Sequence, residues 1–167
     1  FSDDLDFTTQ RLDTEEQFHR QLDLVCKVVN EQAGIIFDLD KTRVEEKQTP
    51  DGESKALDGR VYFKGFAGDS SVTMRIKFDV SEYERIFLPI QRHPIIHNFS
   101  DAGQCQTPVV CYSLEEVLAE KLRSWIQRTR PRDLFDVVKI IQSQAIPISK
   151  TNILSTFLKK TIFKRIP

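Results

Sequence analysis

Strict period-two alternation is the feature that most restricts this chain. From Val72 to Val80, Val72, Met74, Ile76, Phe78 and Val80 take one side while Thr73, Arg75, Lys77 and Asp79 take the other. Successive strand side chains point to opposite faces, so the run predicts a half-buried strand with an apolar and a polar face. Residues 1–8 alternate too: Phe1, Leu5 and Phe7 oppose Ser2, Asp4, Asp6 and Thr8, with Asp3 the exception. Arg60–Phe66 and Val72–Val80 read as a hairpin across Gly68-Asp69-Ser70, and Ile35 to about Val44 as a further strand. Thr49 to Leu57 reads as a polar loop.

The period changes elsewhere. Thr14-Glu15-Glu16-Gln17 fits a capping box, Phe18, Leu22, Val25 and Val29 follow at helical spacing, and Gly34 is a good stop. A helix is expected over roughly 14–33. Residues 81–108 look irregular, with Pro89, Pro94 and Pro108, before a short strand at Val109–Tyr112. Ser113-Leu114-Glu115-Glu116 is a second capping box, Pro131 opens the next helix and Ser149 caps the last. Strands with one early helix, then helices, predict an α+β fold: a mixed β-sheet with flanking helices and a helical C-terminal part. The expected division is 1–112 for the sheet-bearing core and 113–167 for the helices.

Composition narrows the function. The 167 residues are 40% hydrophobic and 29% charged, which suits a packed globular chain and not a disordered one. No apolar run approaches the roughly 18 residues of a membrane helix. Lys plus Arg is 24 against 25 for Asp plus Glu, so a nucleic-acid partner would need a local basic patch. Cys26, Cys105 and Cys111 lack CxxC spacing, which fits a reducing, cytoplasmic setting better than a disulfide framework.

Two groups of residues could carry chemistry. Asp4 and Asp6 point the same way on their strand, about 7 Å apart. Such carboxylates can hold divalent cations that also bind nucleotide phosphates. Asp79 would add a third and complete a two-metal site if its strand neighbours the first; the plain alternative is a solvated strand face. The second group is Lys121 with Arg128, Arg130, Arg132, Asp133 and Asp136. Lys121 falls among Val117, Leu118 and Leu122, where a lysine either snorkels or reaches a phosphate. Asp133 lies in a first helical turn, where a carboxylate also favours the helix dipole.

Ser2-x-Asp4-Leu5-Asp6-Phe7, Ile76-Lys77-Phe78-Asp79-Val80-Ser81, Tyr112 to Leu122, and Arg128 with Arg132-Asp133-Leu134-Phe135-Asp136 occur in an order and spacing that resembles the AbiEii/AbiGii toxin family. That family includes MenT-like toxins and belongs to the DNA polymerase β-like nucleotidyltransferases. The resemblance spans about residues 1–142 and is most specific from Lys121 to Asp136. It implies a nucleotidyltransferase-like sheet, Asp4 and Asp6 as ligands of Mg²⁺ or Mn²⁺, and Asp79 as a further acidic residue. It implies Ser2 and Lys121 as nucleotide contacts, Asp133 as the late catalytic carboxylate, and Arg128, Arg130 and Arg132 as candidate RNA contacts. Its implied activity is transfer of a nucleotidyl group from an NTP to an acceptor, for which a tRNA 3′ end is one candidate, by the toxin of a toxin–antitoxin or abortive-infection pair. The implied partners are NTP, tRNA and a cognate antitoxin protein. The family's small-residue phosphate turn and a preceding Arg would lie before Phe1, so the chain is read as an N-terminally truncated piece of a longer protein.

Other readings compete. A catalytically inactive remnant that binds nucleotide or antitoxin would keep the same motifs. Ile35-Ile36-Phe37-Asp38-Leu39-Asp40-Lys41-Thr42 resembles the first motif of haloacid-dehalogenase-like phosphatases, with Asp38 as nucleophile and Asp40 as acid/base. No amphipathic helix follows it, and the bland reading is an edge strand. His93 and His97 with Cys105 or Cys111 faintly suggest zinc, but Pro94 breaks the helix that would align them. Lys159, Lys160, Lys164 and Arg165 read as a solvated helix end or as phosphate contacts.

Overall fold

The computed structural model describes residues 4–48, 55–65, 73–82, 84–100, 102–104, 106–143 and 147–166. Contacts divide the chain into two units, Phe1–Glu84 and Arg85–Pro167. The fold is α+β; among the described residues, the first unit holds a mixed four-stranded sheet and the second holds three of the four α-helices.

The first unit runs β1 (Asp4–Thr8), α1 (Glu15–Ala33), β2 (Arg43–Gln48), β3 (Lys55–Lys64) and β4 (Thr73–Ser81). Strand order is β1-β4-β3-β2; β1 is parallel to β4 and the other pairs are antiparallel. The expected pairing of the two alternating runs is present, while its turn residues lie outside the described ones. So do Ser2 and the alternation's first residue, Val72.

α1 keeps its expected limits. Thr14 and Gln17 close the capping box reciprocally, and Gly34 adopts φ 68°, where glycine carries no Cβ penalty. The helix covers one face of the sheet. Cys26, Val44, Leu57, Val61, Phe78 and Val80 form the core there, and the Phe18 and Phe78 rings lie 5.5 Å apart. A Cβ at Gly59 would stand 1.8 Å from the Phe78 ring, so a side chain there would displace it. The alternation of β4 thus pays out at Phe78 and Val80, whereas Met74 and Ile76 on the same side are exposed.

The expected strand from Ile35 to Val44 is not formed. Only Phe37 bridges, to Phe63, and the regular strand starts at Arg43. Asp38 diverts the chain: its carboxylate accepts from the Lys41 N–H at 3.2 Å, and its carbonyl accepts from the Thr42 hydroxyl at 2.9 Å. Such local bonds compete with the ladder. At the other end, β3 begins at Lys55, inside the stretch expected to be loop.

The second unit runs β5 (Gln91–Pro94), a 3₁₀ turn (Ala102–Gln104), β6 (Pro108–Cys111), α2 (Leu114–Arg128), α3 (Pro131–Ser143) and α4 (Lys150–Phe163). β5 lies in the stretch expected to be irregular and pairs antiparallel with β6. Leu118, Val137 and Ile153 join the three helices in a second core. No described helix is long and apolar enough to cross a membrane.

The second capping box is only half made. Ser113 accepts from the Glu116 N–H, but the Glu116 carboxylate turns inward to accept from Phe87 N–H at 3.2 Å and Leu88 N–H at 2.9 Å. Lys160 pairs with it at 2.8 Å and donates to the Arg85 carbonyl at 3.2 Å. Lys160 is therefore a buried ion-pair partner, not a solvated helix end or a phosphate contact. Arg123 joins the network through Glu120 (Nε to Oε1 3.0 Å). Burial alone would raise the Glu120 pKa, but Arg123 and Lys160 outweigh it and hold the carboxylate below its ordinary range.

Candidate nucleotidyl-transfer site

β1 lies beside β4 in parallel register, with Asp4 opposite Lys77 and Asp6 opposite Asp79. β3 continues the rows on the other side: Asp58 faces Asp79 and Arg60 faces Lys77. Laterally paired residues share a sheet face, so Asp6, Asp79 and Asp58 form an acidic row across three strands. The adjacent row is Asp4, Lys77 and Arg60. All lie on the face opposite the core, because Leu57, Phe78 and Val80 alternate with them. The third carboxylate that the sequence allowed is thus beside the first pair.

Electrostatics differ along the acidic row. Burial, followed by the negative charges of Asp58, Asp6 and Asp4, pushes the Asp79 carboxyl above its ordinary pKa. Asp58 is held below its ordinary value by its hydrogen bond from Lys47, which outweighs its burial. On the other row, Lys77 Nζ lies 3.3 Å from both Asp4 carboxylate oxygens. Asp58 and Lys77 escape a reading by sequence because their place depends on register. The usable signal is that Lys77 shares the polar side of its strand with Asp79.

Carboxylate oxygens are hard ligands of the kind Mg²⁺ and Mn²⁺ take. Among the described residues, no three His, Cys, Asp or Glu side chains are grouped to hold a metal ion as they stand. The carboxylate donors suit such an ion chemically, although the described residues do not by themselves make up a metal site.

In the second unit, α2 and α3 bring Lys121, Asp133 and Asp136 together. Lys121 does not merely snorkel: its Nζ donates to Asp136 at 2.8 Å and lies 3.9 Å from Asp133. The Lys121 hydrogen bond, outweighing burial, holds Asp136 below its ordinary pKa. Asp133 is buried; Arg128 approaches it at 3.6 Å, yet Asp133 Oδ2 has no hydrogen-bond partner among the described residues. Thr129 ends α2 with φ 51°, an uncommon conformation for a β-branched residue, and so lets Pro131 start α3 at once. Arg130 and Arg132 are exposed.

The other candidates disperse. Asp38 pairs with Lys41 at 3.0 Å, and Asp40 sits in the turn beyond Phe37, so the phosphatase-like string lacks its strand. His93 bonds Gln91 at 2.9 Å and His97 lies against Phe99, with ring centroids 5.1 Å apart. Cys105 lies outside the described residues.

The first unit thus carries in-register carboxylates on the polar face of a mixed sheet, and the helices that follow in sequence pair a lysine with two aspartates, in an α+β protein. The chain belongs to the family described as nucleotidyl transferase AbiEii toxin of type IV toxin–antitoxin systems, whose family model matches residues 1–165. No curated protein and no solved structure matches it significantly.

Proposed function

We propose that the protein transfers a nucleotidyl group from an NTP to an acceptor hydroxyl, with a tRNA 3′ end as the favoured acceptor. The observation that carries this reading is the register of Asp6 opposite Asp79 on parallel strands, with Asp4 two residues along. Asp4 and Asp6 would hold Mg²⁺ or Mn²⁺, which when bound supplies positive charge against the triphosphate. In the reaction the acceptor oxygen bonds the α-phosphorus while the α–β bridging bond breaks, and pyrophosphate leaves with the electron pair. Asp79 suits acceptance of the hydroxyl proton, because its surroundings raise its proton affinity. Lys121 contacts a nucleotide phosphate and Asp133 acts as the late acidic residue. Arg128, Arg130 and Arg132 are the proposed RNA contacts, and Ser2 a proposed nucleotide contact. The toxin family implies an antitoxin partner, and a cytoplasmic location goes with these substrates.

The test is transfer of label from each α-labelled NTP to bulk tRNA by the full-length protein. Asp6→Asn is expected to lower transfer on the order of 10²-fold or more. Transfer unchanged in that variant would overturn the reading. Nucleotide binding without any transfer by the wild type would instead favour an inactive remnant.

A further inference from the structure

We propose that Lys77 is the resident counter-cation of Asp4: its ammonium occupies the carboxylate edge that a divalent cation would take and must yield that edge before the cation loads. This rests on the reading of Asp4 and Asp6 as the ion-holding pair and adds a residue to it that governs when the pair accepts an ion.

The geometry is specific. Lys77 Nζ is equidistant, at 3.3 Å, from Asp4 Oδ1 and Oδ2, so it straddles the carboxylate as a bidentate cation does. The pair is set by the ladder and not by two long side chains meeting at random. Asp4 and Lys77 head a run of five laterally paired residues, from Asp4–Lys77 to Thr8–Ser81. Phe78 and Val80, buried on the opposite face, anchor β4 beneath it. The neighbouring cations have other carboxylates to serve: Lys47 is hydrogen-bonded to Asp58, and Arg60 lies 3.6 Å from it.

An ammonium and a divalent cation cannot share one carboxylate edge without strong repulsion. Ion binding must therefore displace Lys77, and the displaced ammonium gains most when an anionic group arrives with the ion. Lysine is a common point-charge partner of phosphate. The arrangement makes the site reluctant to hold an ion alone and receptive once a nucleotide brings its phosphates.

The test is a titration of the full-length protein with MnCl₂ alone, read by the EPR signal of free Mn²⁺. Lys77→Met removes the charge but keeps the stem, and is expected to tighten Mn²⁺ binding about tenfold. Lys77→Arg keeps the charge and should bind as weakly as wild type. A structural lesion would loosen binding, so a gain identifies the charge effect. The paired change Asp4→Asn plus Asp6→Asn should abolish binding in either background.

If that pair abolishes binding and Lys77→Met binds no tighter than wild type, the counter-cation proposal is overturned while the ion reading stands. If the pair leaves binding unchanged, the ion reading itself fails and takes the proposal with it. Should Lys77→Met not fold, acetylation of Lys77 in the wild type, followed by mass spectrometry, decides the matter. Saturating Mn²⁺ should raise its rate several-fold, and an unchanged or lowered rate overturns the proposal.

Discussion

The two units treat buried or half-buried charge in opposite ways. In the helical unit, acids and bases are matched: Glu116 with Lys160, Glu120 with Arg123, Asp136 with Lys121. On the sheet, Asp6, Asp79 and Asp58 stand in one lateral row, and Asp79 is left with a raised pKa. Folding tolerates a matched pair because Coulomb attraction offsets desolvation. It gains nothing from a row of like charges, and carboxyls with raised pKa values cluster at functional sites. Compensation is thus more complete around Glu116 and Glu120 than at Asp79, and that contrast supports the proposed reading of the sheet row as the site.

Breaking the matched network should produce the largest effect. Lys160→Met leaves the buried Glu116 carboxylate, among the described residues, with the Phe87 and Leu88 N–H groups and no cation in contact. The expected loss is about 3–5 kcal/mol in chemical denaturation, since one partner of a buried pair is removed. A variant as stable as wild type would show that the network is not closed as described. Replacing Asp79 by Asn should do the reverse. Nucleotidyl transfer should fall about 10²-fold, while the denaturation midpoint holds or rises because a like charge has gone. A loss of stability matching the loss of activity would place Asp79 with the architecture.

The sequence makes the site's parts legible but not their compensation. Asp4, Asp6 and Asp79 stand out because strand alternation puts them on polar faces, and a period of two survives without knowledge of neighbours. Asp58 and Lys77 do not, because which residue lies across from which is a matter of register. Lys160 misleads for a related reason: four cations near a chain end look solvated, and only tertiary packing sets Glu116 against one of them. The capping motif at Ser113 concealed this, since Glu116 there has an expected local use and takes a distant one instead. At Asp38 the error runs the other way. An apolar run promises a strand, and local bonds from Lys41 and Thr42 break it.

Lys121 lies between the two categories. It is paired like the architecture, yet a third of its side chain is exposed. Lys121→Met should cost on the order of 1 kcal/mol, because Asp136 and Asp133 lose their shared cation at a partly solvated position. Transfer should fall far more than this implies, by about 10²-fold. Equal losses in stability and activity would make Lys121 a purely structural partner.

The pH dependence of stability should carry opposite signs at the two sites. Asp136 has a lowered folded pKa, so it adds stability above the ordinary carboxylate pKa of about 3.9 that is lost as pH falls through the lowered value. Asp79 has a raised folded pKa. Its contribution is unfavourable above that raised value and vanishes as pH falls toward about 3.9. Asp136→Asn should therefore flatten the acid limb of a denaturation profile. Asp79→Asn should flatten the decline on its mildly acidic side. Profiles that shift in the same direction would contradict the contrast between the units.

The smallest effect is expected at Asp38, which belongs to neither category. Its carboxylate is held below the ordinary range by a hydrogen bond with Lys41, but the pair is solvent-facing and screened. Its structural work is the turn, in which Oδ1 accepts from the Lys41 N–H. An asparagine side-chain oxygen accepts the same bond, and asparagine favours such turns equally. Asp38→Asn should thus leave the melting temperature within the scatter of wild type and nucleotidyl transfer within a few-fold. A nucleophilic role would require phosphatase activity that disappears in this variant, because an amide cannot form the acyl phosphate. Assay of wild type and variant with p-nitrophenyl phosphate separates the two, and activity lost on substitution would restore the phosphatase reading that the broken strand argues against.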